Sequence, residues 1–300
     1  MTGGEVRPGA GRHGPQVTVV IATRDRRDEL LRTLGRLRDL PERPPVIVVD
    51  NASSDGTADA VRARFPGVAV VRAARNLGAP ARNLGVRAAR TPYVAFSDDD
   101  SWWEPGALGR AAEAFDAHPG LGLIAAHTLV GPARRPDPIN AAMAGTPLPG
   151  EPGLPGPPVL GFLACASVVR RRAFLEAGGF SPVLFFVGEE RLLAYDLAAA
   201  GWSRCYLPGV VAVHEPSASR PPSGRRHRAE LRNTLLTAWL RRPARTALRE
   251  TGRLAARAAR DPDARAALAG ALRRMPSALL RRRRLPAAVE RAARLIEVTA

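Results

Sequence analysis

One stretch decides the fold: Tyr93-Val-Ala-Phe-Ser-Asp98-Asp99-Asp100. Its apolar part follows Thr91 and Pro92 and predicts a buried strand that ends in three adjacent carboxylates. In open α/β sheets, ligands bind just beyond the carboxyl ends of the strands. Because like charges repel, three neighbouring acids need full solvation, a proton or a bound cation. Side chains alternate along an extended backbone, so Asp98 and Asp100 are predicted to share one side and hold a divalent ion, with a solvated acidic turn as the alternative.

The composition is that of a globular protein. The chain has 300 residues, 45% of them hydrophobic, which suits one large or two small domains. It contains no run of about 18 apolar residues. Residues 1–16 lack the apolar stretch of a signal peptide, so we expect a disordered tail there and a cytoplasmic protein. Cys165 and Cys205 are too isolated for a metal cluster, and we expect them to be buried and free.

The charge is unevenly distributed along the chain. The net charge is +17, and residues 220–300 contain 21 arginines against six acids, so the preceding part is close to neutral. All the basic residues are arginine, and Ala, Gly and Pro are abundant, which indicates coding bias as much as selection for binding nucleic acid. The basic C-terminal part predicts a partner of its own, an anionic membrane surface or a lipid phosphate, and the membrane surface would place the protein on the inner face of the plasma membrane.

Strands and helices alternate in the first hundred residues. Apolar runs predict strands at 17–22, 46–49, 68–71 and 93–96, with helices at 28–40, 57–65 and 80–89 between them. This order predicts an α/β fold with a doubly wound parallel sheet. Right-handed crossovers bring the strand ends to one edge, so Thr23-Arg24, Asp50-Asn51 and the aspartate triplet should converge. Gly-x-Gly-x-x-Gly and P-loop motifs are absent from the sequence, which disfavours dinucleotide and P-loop sites.

A series of motifs in a fixed order resembles the family-2 glycosyltransferases. The motifs span residues 17 to 215 and comprise Val17 to Arg24, Val46 to Thr57, Arg75-Asn76-Leu77-Gly78, Ala81-Arg82-Asn83-x-Gly85 and Ser97-Asp98-Asp99-Asp100. The resemblance implies the GT-A fold, a Rossmann-like and mostly parallel sheet with helices on both faces. It also implies a nucleotide-sugar donor, a divalent cation (Mg²⁺ or Mn²⁺) and inversion at the anomeric carbon.

The resemblance further implies roles for residues at the sheet edge. Residues at the donor would be Thr23, Arg24, Asp50, Asn51, Arg82, Asp98 and Asp99, and the metal ligands would be Asp98, Asp100 and His214. Thr23 and Asp50 would contact base and ribose, and Arg82 would approach the diphosphate. The family often has Tyr-Asn after the threonine, whereas this chain has Arg24-Asp25. From the residues alone, Asp50 and Asn51 are also consistent with a helix cap.

A second acidic motif, Gly188-Glu189-Glu190, opens a predicted helix. Acids at a helix N-terminus are stabilised by its dipole, which accounts for them without catalysis. A carboxylate there can also take a proton from a sugar hydroxyl. Family members commonly carry Gly-Glu-Asp at this point, and the resemblance implies that Glu190 is the general base, with Glu189 as the second candidate. Asp196, further along the same helix, is predicted to pair with an arginine.

The chain therefore divides into four predicted parts. They are the tail at 1–16, a donor-binding half at 17–118, an acceptor-binding half at 119–219 and an Arg-rich helical extension at 220–300. The acceptor half has predicted strands at 121–130, 159–169 and 204–213. Between the first two, residues 131–158 are rich in Pro and Gly and predict a flexible loop.

The sequence favours an inverting, metal-dependent glycosyltransferase that moves a sugar to a saccharide or lipid-linked acceptor. One alternative is nucleotidyl transfer to a sugar phosphate, because Thr23 to Arg27 faintly suggests a triphosphate-binding loop. An alternative from another class is a protein that binds nucleic acid through residues 220–300. We do not expect nucleic acid to be the partner.

Overall fold

A computed structural model describes residues 15–217 and 223–299. The predicted disordered tail lies almost entirely outside these residues. Within them the chain forms one mixed sheet, helices on both of its faces and a C-terminal group of helices. The strands are β1 (Val17–Thr23), β2 (Val46–Asp50), β3 (Ala69–Arg72), β4 (Tyr93–Ser97), β5 (Ser101–Trp103), β6 (Leu121–Val130), β7 (Arg135–Pro136), β8 (Ser167–Arg170) and β9 (Ser203–His214).

The helices begin and end close to the predicted positions in the first half of the chain. They are α1 (Arg27–Arg38), α2 (Thr57–Arg64), α3 (Arg82–Ala88), α4 (Ala107–Ala117), α5 (Pro138–Ala144), α6 (Arg171–Glu176), α7 (Glu189–Ala199), α8 (Ser223–Arg241), α9 (Ala244–Ala258), α10 (Pro262–Leu280) and α11 (Ala287–Thr299). No helix of the described ranges is long and apolar enough to cross a membrane.

The sheet is parallel in its first half and mixed in its second. Its order is β3-β2-β1-β4-β8-β6-β9-β5, and β1 to β4 pair in parallel as predicted. Next to β4, however, β8 runs antiparallel, and β6 lies between an antiparallel β8 and a parallel β9. Parallel neighbours require crossover connections. Antiparallel neighbours have no such requirement, and the chain from β6 to β8 runs through β7, α5 and an irregular stretch.

Both faces of the sheet are covered by helices. Val19 and Ile21 of β1 face a core completed by α1 and α4, whereas the intervening Val20 faces α3, α6 and α7. This alternation is the period of two expected for a strand. At Gly85 in α3, an added Cβ would lie 2.4 Å from Val20 Cγ1, so the helix contacts β1 closely enough to require glycine.

The segment 131–158 is more regular than predicted. It contains β7 and the short helix α5, whose first turn is capped by Asp137 accepting from the Ile139 amide at 2.9 Å. The Asn140 side chain bonds the backbone of Thr128 on β6, accepting at 2.9 Å and donating at 2.8 Å. These bonds tie α5 to the sheet, and no apolar periodicity signals them. The predicted strand at 159–169 also starts later, at Ser167.

The C-terminal helices pack on residues 183–192 and on α7. Leucines of α8 share an apolar core with α9, α10 and residues 183–192. Arg241 forms a buried pair with Asp196 of α7, which confirms the predicted arginine partner of that acid. Helix α10 continues through Pro276. Cys165 and Cys205 are buried and free, as expected.

Candidate active site

The carboxyl ends of β1, β2 and β4 meet at one edge of the sheet. Thr23 lies opposite Asp50 in the β1–β2 register. Its hydroxyl donates to Asp99 Oδ2 at 2.9 Å, across 76 residues of sequence. Thr23, Asp50 and the aspartate triplet therefore lie at one edge of the sheet, as predicted from the topology.

The three aspartates of the triplet differ in the contacts they make. The backbone leaves the extended conformation after Ser97, and the Asp98 amide donates to Ser101 Oγ at 2.7 Å within the turn. Asp98 pairs with Arg82, Asp99 turns inward, and Asp100 Oδ1 lies 3.4 Å from His214 Nε2. Asp98 and Asp100 therefore do not share a partner, because the strict alternation of a strand ends before them.

Arg26 joins two of these acids and was not predicted from the sequence. Its Nε lies 2.8 Å from Asp99 Oδ1, and its Nη2 lies 3.2 Å from Asp100 Oδ2. The neighbouring Arg24 is more exposed and pairs with Asp25 at 3.3 Å. Nothing in the local sequence separates Arg26 from the other arginines after β1.

Asp99 and Asp100 differ in their ionisation. Burial raises the pKa of Asp99 to about 7, although the charge of Arg26 opposes the rise. Burial acts in the same direction on Asp100, but the hydrogen bond and charge of His214, with help from Arg26, lower the pKa of that carboxyl. Asp100 is therefore ionised at neutral pH, while Asp99 is close to its midpoint.

Asp50 is completely buried at the end of β2. Its Oδ1 accepts from the Ser53 amide at 2.9 Å in the loop before α2, and the N-cap of α2 is Gly56, so Asp50 does not cap that helix. Its Oδ2 has no hydrogen-bond partner, although Arg72 Nε lies 3.4 Å away. A buried carboxylate oxygen with no donor is costly and can accept a bond from a ligand.

Asn51, for which the resemblance implies a donor contact, forms hydrogen bonds within the protein. Its Oδ1 accepts from the Leu77 amide at 2.7 Å, and its Nδ2 donates to Asn76 Oδ1 at 3.0 Å and to the Gly78 carbonyl at 3.2 Å. Both ends of the amide are engaged. Asn51 therefore shapes the loop at 76–78, beside the site.

Arg82 connects the aspartate triplet to the acidic pair of α7. It is the first residue of α3 and only 7% exposed, and it donates to Asp98. Burial disfavours its charge, but Asp98, Glu189 and Glu190 together raise the pKa of its guanidinium. The resemblance predicted that Arg82 lies near the donor. The electrostatic interaction of Arg82 with the two glutamates was not predicted.

Glu189 and Glu190 open α7 in different environments. Glu189 is 3% exposed, and its Oε2 has no hydrogen-bond partner. Glu190 is half-buried. Burial and the charge of Glu190 raise the pKa of Glu189 to about 8. Burial also raises the pKa of Glu190, while Arg82 opposes that rise. Glu189 is thus mostly protonated at neutral pH, and Glu190 is the more exposed of the two side chains.

The predicted metal ligands are compatible in chemistry but not gathered around one point. Asp100 and His214 are adjacent, whereas Asp98 turns towards Arg82. In residues 15–217 and 223–299 there is no group of three or more His, Cys, Asp or Glu side chains arranged to share an ion. Carboxylate oxygens with one imidazole suit a cation that takes its other ligands from phosphate and water. The residue types therefore fit a divalent ion.

This sheet, with acids after β4 and a second acidic pair across the edge, has the GT-A fold. A mannosyltransferase from Pyrobaculum calidifontis, solved in complex with GDP-Man and Mn²⁺, matches with a TM-score of 0.58 over 96% of this chain and 82% of that one, at 21% identity. S. aureus TarS 1-349, in complex with UDP-GlcNAc, matches with a TM-score of 0.56 over 87% and 73% of the two chains, at 17% identity. At these identities the likeness shows the fold.

The sequence defines the family within that fold. The family model described as glycosyl transferase family 2 matches residues 18–177, more than half of the chain, and the chain belongs to this family. An N-acetylglucosaminyl-diphospho-decaprenol L-rhamnosyltransferase from Mycobacterium tuberculosis is 27% identical over 275 residues, covering 77% of this chain and 88% of that protein. A pre-mycofactocin glycosyltransferase from the same organism is 30% identical over 253 residues, covering 79% and 47%. The predicted family is confirmed, and the two alternative functions gain no support.

Proposed function

We propose that this protein transfers a sugar from a nucleotide-sugar donor to a hydroxyl of a saccharide or lipid-linked acceptor, with inversion. One observation carries the proposal: Arg82 stands between the aspartate triplet and the Glu189–Glu190 pair. The aspartates proposed to bind the sugar donor and the glutamate proposed to serve the acceptor thus lie around one buried guanidinium. Residues 17–118 would hold the donor and residues 119–219 the acceptor.

The donor side of the site offers polar groups of the required kind. The unpartnered Oδ2 of Asp50 can accept from a base N–H or a ribose hydroxyl. Thr23 and Asp99 support the edge on which the ribose would lie. Arg24 is exposed at the same edge. Arg26 is occupied by Asp99 and Asp100, which argues against a triphosphate-binding loop and therefore against nucleotidyl transfer.

In the proposed reaction, Glu190 takes the proton of the acceptor hydroxyl. The acceptor oxygen bonds to the anomeric carbon while the bond from that carbon to the diphosphate oxygen breaks, so the nucleoside diphosphate leaves. Attack and departure occur on opposite faces of the sugar, and the anomeric configuration inverts. Arg82 offsets the negative charge of the carboxylates beside the departing diphosphate.

Asp100 and His214, with Asp98, are the residues that would hold Mg²⁺ or Mn²⁺. When bound, such an ion would supply positive charge beside the diphosphate. The Mn²⁺ in the Pyrobaculum mannosyltransferase complex supports this assignment.

The first prediction concerns donor binding. A thermal-shift screen of UDP-, GDP- and dTDP-sugars with Mg²⁺ or Mn²⁺ should reveal a nucleotide that stabilises the protein, by about 2.7 kcal/mol at a hundredfold over its Kd. Chelation with EDTA should remove most of the shift. Product analysis should show release of nucleoside diphosphate, whereas pyrophosphate would contradict glycosyl transfer.

An anionic membrane surface is the proposed partner of the extension. Ala269, Leu272, Pro276 and Leu279 form an exposed stripe along α10 at helical spacing. Leu272, Leu279 and Leu280 are 56%, 47% and 85% exposed. Residues 264–289 contain seven arginines and no acid. An apolar helix face beside basic residues is the pattern that binds anionic lipid, and the lipid-linked substrate in the name of the rhamnosyltransferase relative is consistent with it.

The second prediction tests that surface. The double variant Leu279→Glu/Leu280→Glu should bind vesicles of phosphatidylglycerol and phosphatidylcholine about tenfold or more weakly, since each buried leucine contributes about 1.5 to 3 kcal/mol. Co-sedimentation measures the binding. Ala63→Glu, on the exposed side of α2, is the matched control and should bind as the unaltered protein does. Equal binding to vesicles of phosphatidylcholine alone would contradict an electrostatic contribution.

A further inference from the structure

We propose that Asn233, in the first helix of the C-terminal extension, is a positioning residue for the acidic pair Glu189–Glu190. It does not reach the reacting groups. Its buried amide holds the irregular segment 184–188, from which α7 begins. The functional part of this inference rests on the proposed function, in which Glu190 serves the acceptor.

The segment 184–188 has an unusual backbone. Phe185 has φ 69° and Val187 has φ 75°, followed by Gly188 at φ 82°. The left-handed region is open to glycine, but it is strained for other residues and most of all for a β-branched one. Such conformations persist only where the surroundings hold them, and they cluster at functional sites. The residue that follows this segment is Glu189.

Asn233 provides the holding contacts. It is 1% exposed, and its Nδ2 lies 3.1 Å from the Leu184 carbonyl oxygen, 2.7 Å from that of Phe186 and 2.6 Å from that of Val187. Its Oδ1 accepts from Arg232 Nε at 2.9 Å, which fixes the orientation of the amide. A side chain here must present N–H groups to several carbonyl oxygens at once. A carboxylate of the same shape would repel them, and an apolar side chain would remove the donor that the Phe186 and Val187 carbonyl oxygens share. The Leu184 carbonyl oxygen, in contrast, also accepts from Arg232 Nη2 at 3.2 Å.

The opposite side of the segment is held by the donor half. The Phe185 carbonyl oxygen accepts from the Ala79 amide at 2.7 Å. At Gly78, an added Cβ would lie 2.1 Å from that same carbonyl oxygen, so the two segments touch backbone to backbone. Asn51 in turn holds the Gly78 carbonyl. The start of α7 is thus held between the donor-side loop and the C-terminal extension. Asn233, which lies far outside the family match, therefore helps to position Glu190.

The test compares Asn233→Leu with Thr237→Val. Thr237 lies one turn further along α8, is buried, and has a hydroxyl without a hydrogen-bond partner, so its replacement changes the same helix without touching the segment. Hydrogen exchange in peptides covering 184–190 is measured on the protein alone. We expect about tenfold faster exchange or more in Asn233→Leu, because the loss of bonds worth about 1.4 kcal/mol corresponds to a factor of ten. Thr237→Val should match the unaltered protein.

Steady-state kinetics test whether the contacts of Asn233 with segment 184–188 affect turnover. With the donor identified by the nucleotide screen, Asn233→Leu should lower kcat by about tenfold to a hundredfold, since small misplacements of a catalytic group have effects of this size. KM for the donor should stay unchanged. A contact that only stabilises the fold would lower the melting temperature without this split between kcat and KM.

Asn233→Asp keeps the test decisive if Asn233→Leu does not fold. Its carboxylate faces carbonyl oxygens when ionised and can donate to one of them when protonated. Exchange of 184–190 should therefore approach that of the unaltered protein as the pH falls, once corrected for the intrinsic pH dependence of exchange. If the foldable Asn233 variants exchange at 184–190 as Thr237→Val does at every pH, the proposal is wrong, whether or not the protein transfers sugar. Absence of transfer by the unaltered protein would instead overturn the proposed function alone.

Discussion

Glu190→Gln is expected to lower the rate of sugar transfer by about a thousandfold, in the middle of the range for loss of a general base. Glutamine keeps the length and shape of the side chain but cannot accept the proton of the acceptor hydroxyl. Thermal stability should not fall, because burial already disfavours the charged form of Glu190. The rate of nucleoside diphosphate release and the melting temperature, measured on the same preparation, separate these two effects.

Glu189→Gln is the matched control for that variant. Burial and the charge of Glu190 raise the pKa of Glu189 to about 8, so at pH 7 the side chain is mostly neutral and glutamine resembles it. We expect this variant to keep most of its activity at pH 7. The rate of the unaltered protein should rise as the pH increases through the raised pKa of Glu190, and the residual rate of Glu190→Gln should lack that rise. A large loss in Glu189→Gln with normal activity in Glu190→Gln would assign the base to Glu189.

The donor edge could be predicted from the sequence because it depends on topology. Buried strands are visible as short apolar runs, and right-handed crossovers place their carboxyl ends together. Thr23, Asp50 and Asp99 are therefore found at one edge although they are far apart in the chain. Confirmation of the family follows from the same segments, because the family model covers residues 18–177.

Contacts made by long side chains could not be predicted in this way. Whether Arg26 or Arg24 reaches Asp99 depends on the path of the chain after β1, and the sequence is rich in arginine at that point. The three-carbonyl contact of Asn233 requires α8 to pack beside residues 184–188, which is a matter of tertiary structure alone. An asparagine within a helical pattern carries no local sign of such a role.

The second half of the sheet was harder to predict from the sequence for a related reason. Val159, Leu160 and Phe162 are buried without belonging to a strand. An apolar run reports burial, and it does not by itself distinguish a strand from an irregular buried segment. The direction of β8 against β4 depends on the path of the preceding connection, which no short-range pattern encodes.

Arg82→Gln is the second variant for which we expect a large effect. It removes the buried cation that stands beside Asp98, Glu189 and Glu190. The folded protein should lose about 3 kcal/mol of stability, the usual result when one partner of a buried pair is removed. Transfer should fall by about a hundredfold or more, because a group that offsets charge at the reacting centre typically contributes this much.

The pH dependence of Arg82→Gln follows from the same charges. Arg82 holds down the pKa of both Glu189 and Glu190, so its removal raises both values and more of Glu190 is protonated at pH 7. The residual activity should therefore recover towards higher pH. The free energy of unfolding should change in the opposite direction. Glu189 ionises near pH 4.5 in the unfolded chain but above pH 8 in the folded variant. The folded variant therefore loses stability as the pH rises through that window. Arg87→Gln, an exposed arginine on the same helix, is the control and should alter neither profile. Parallel pH profiles for Arg82→Gln and the unaltered protein would show that the guanidinium does not set the ionisation of the acidic pair.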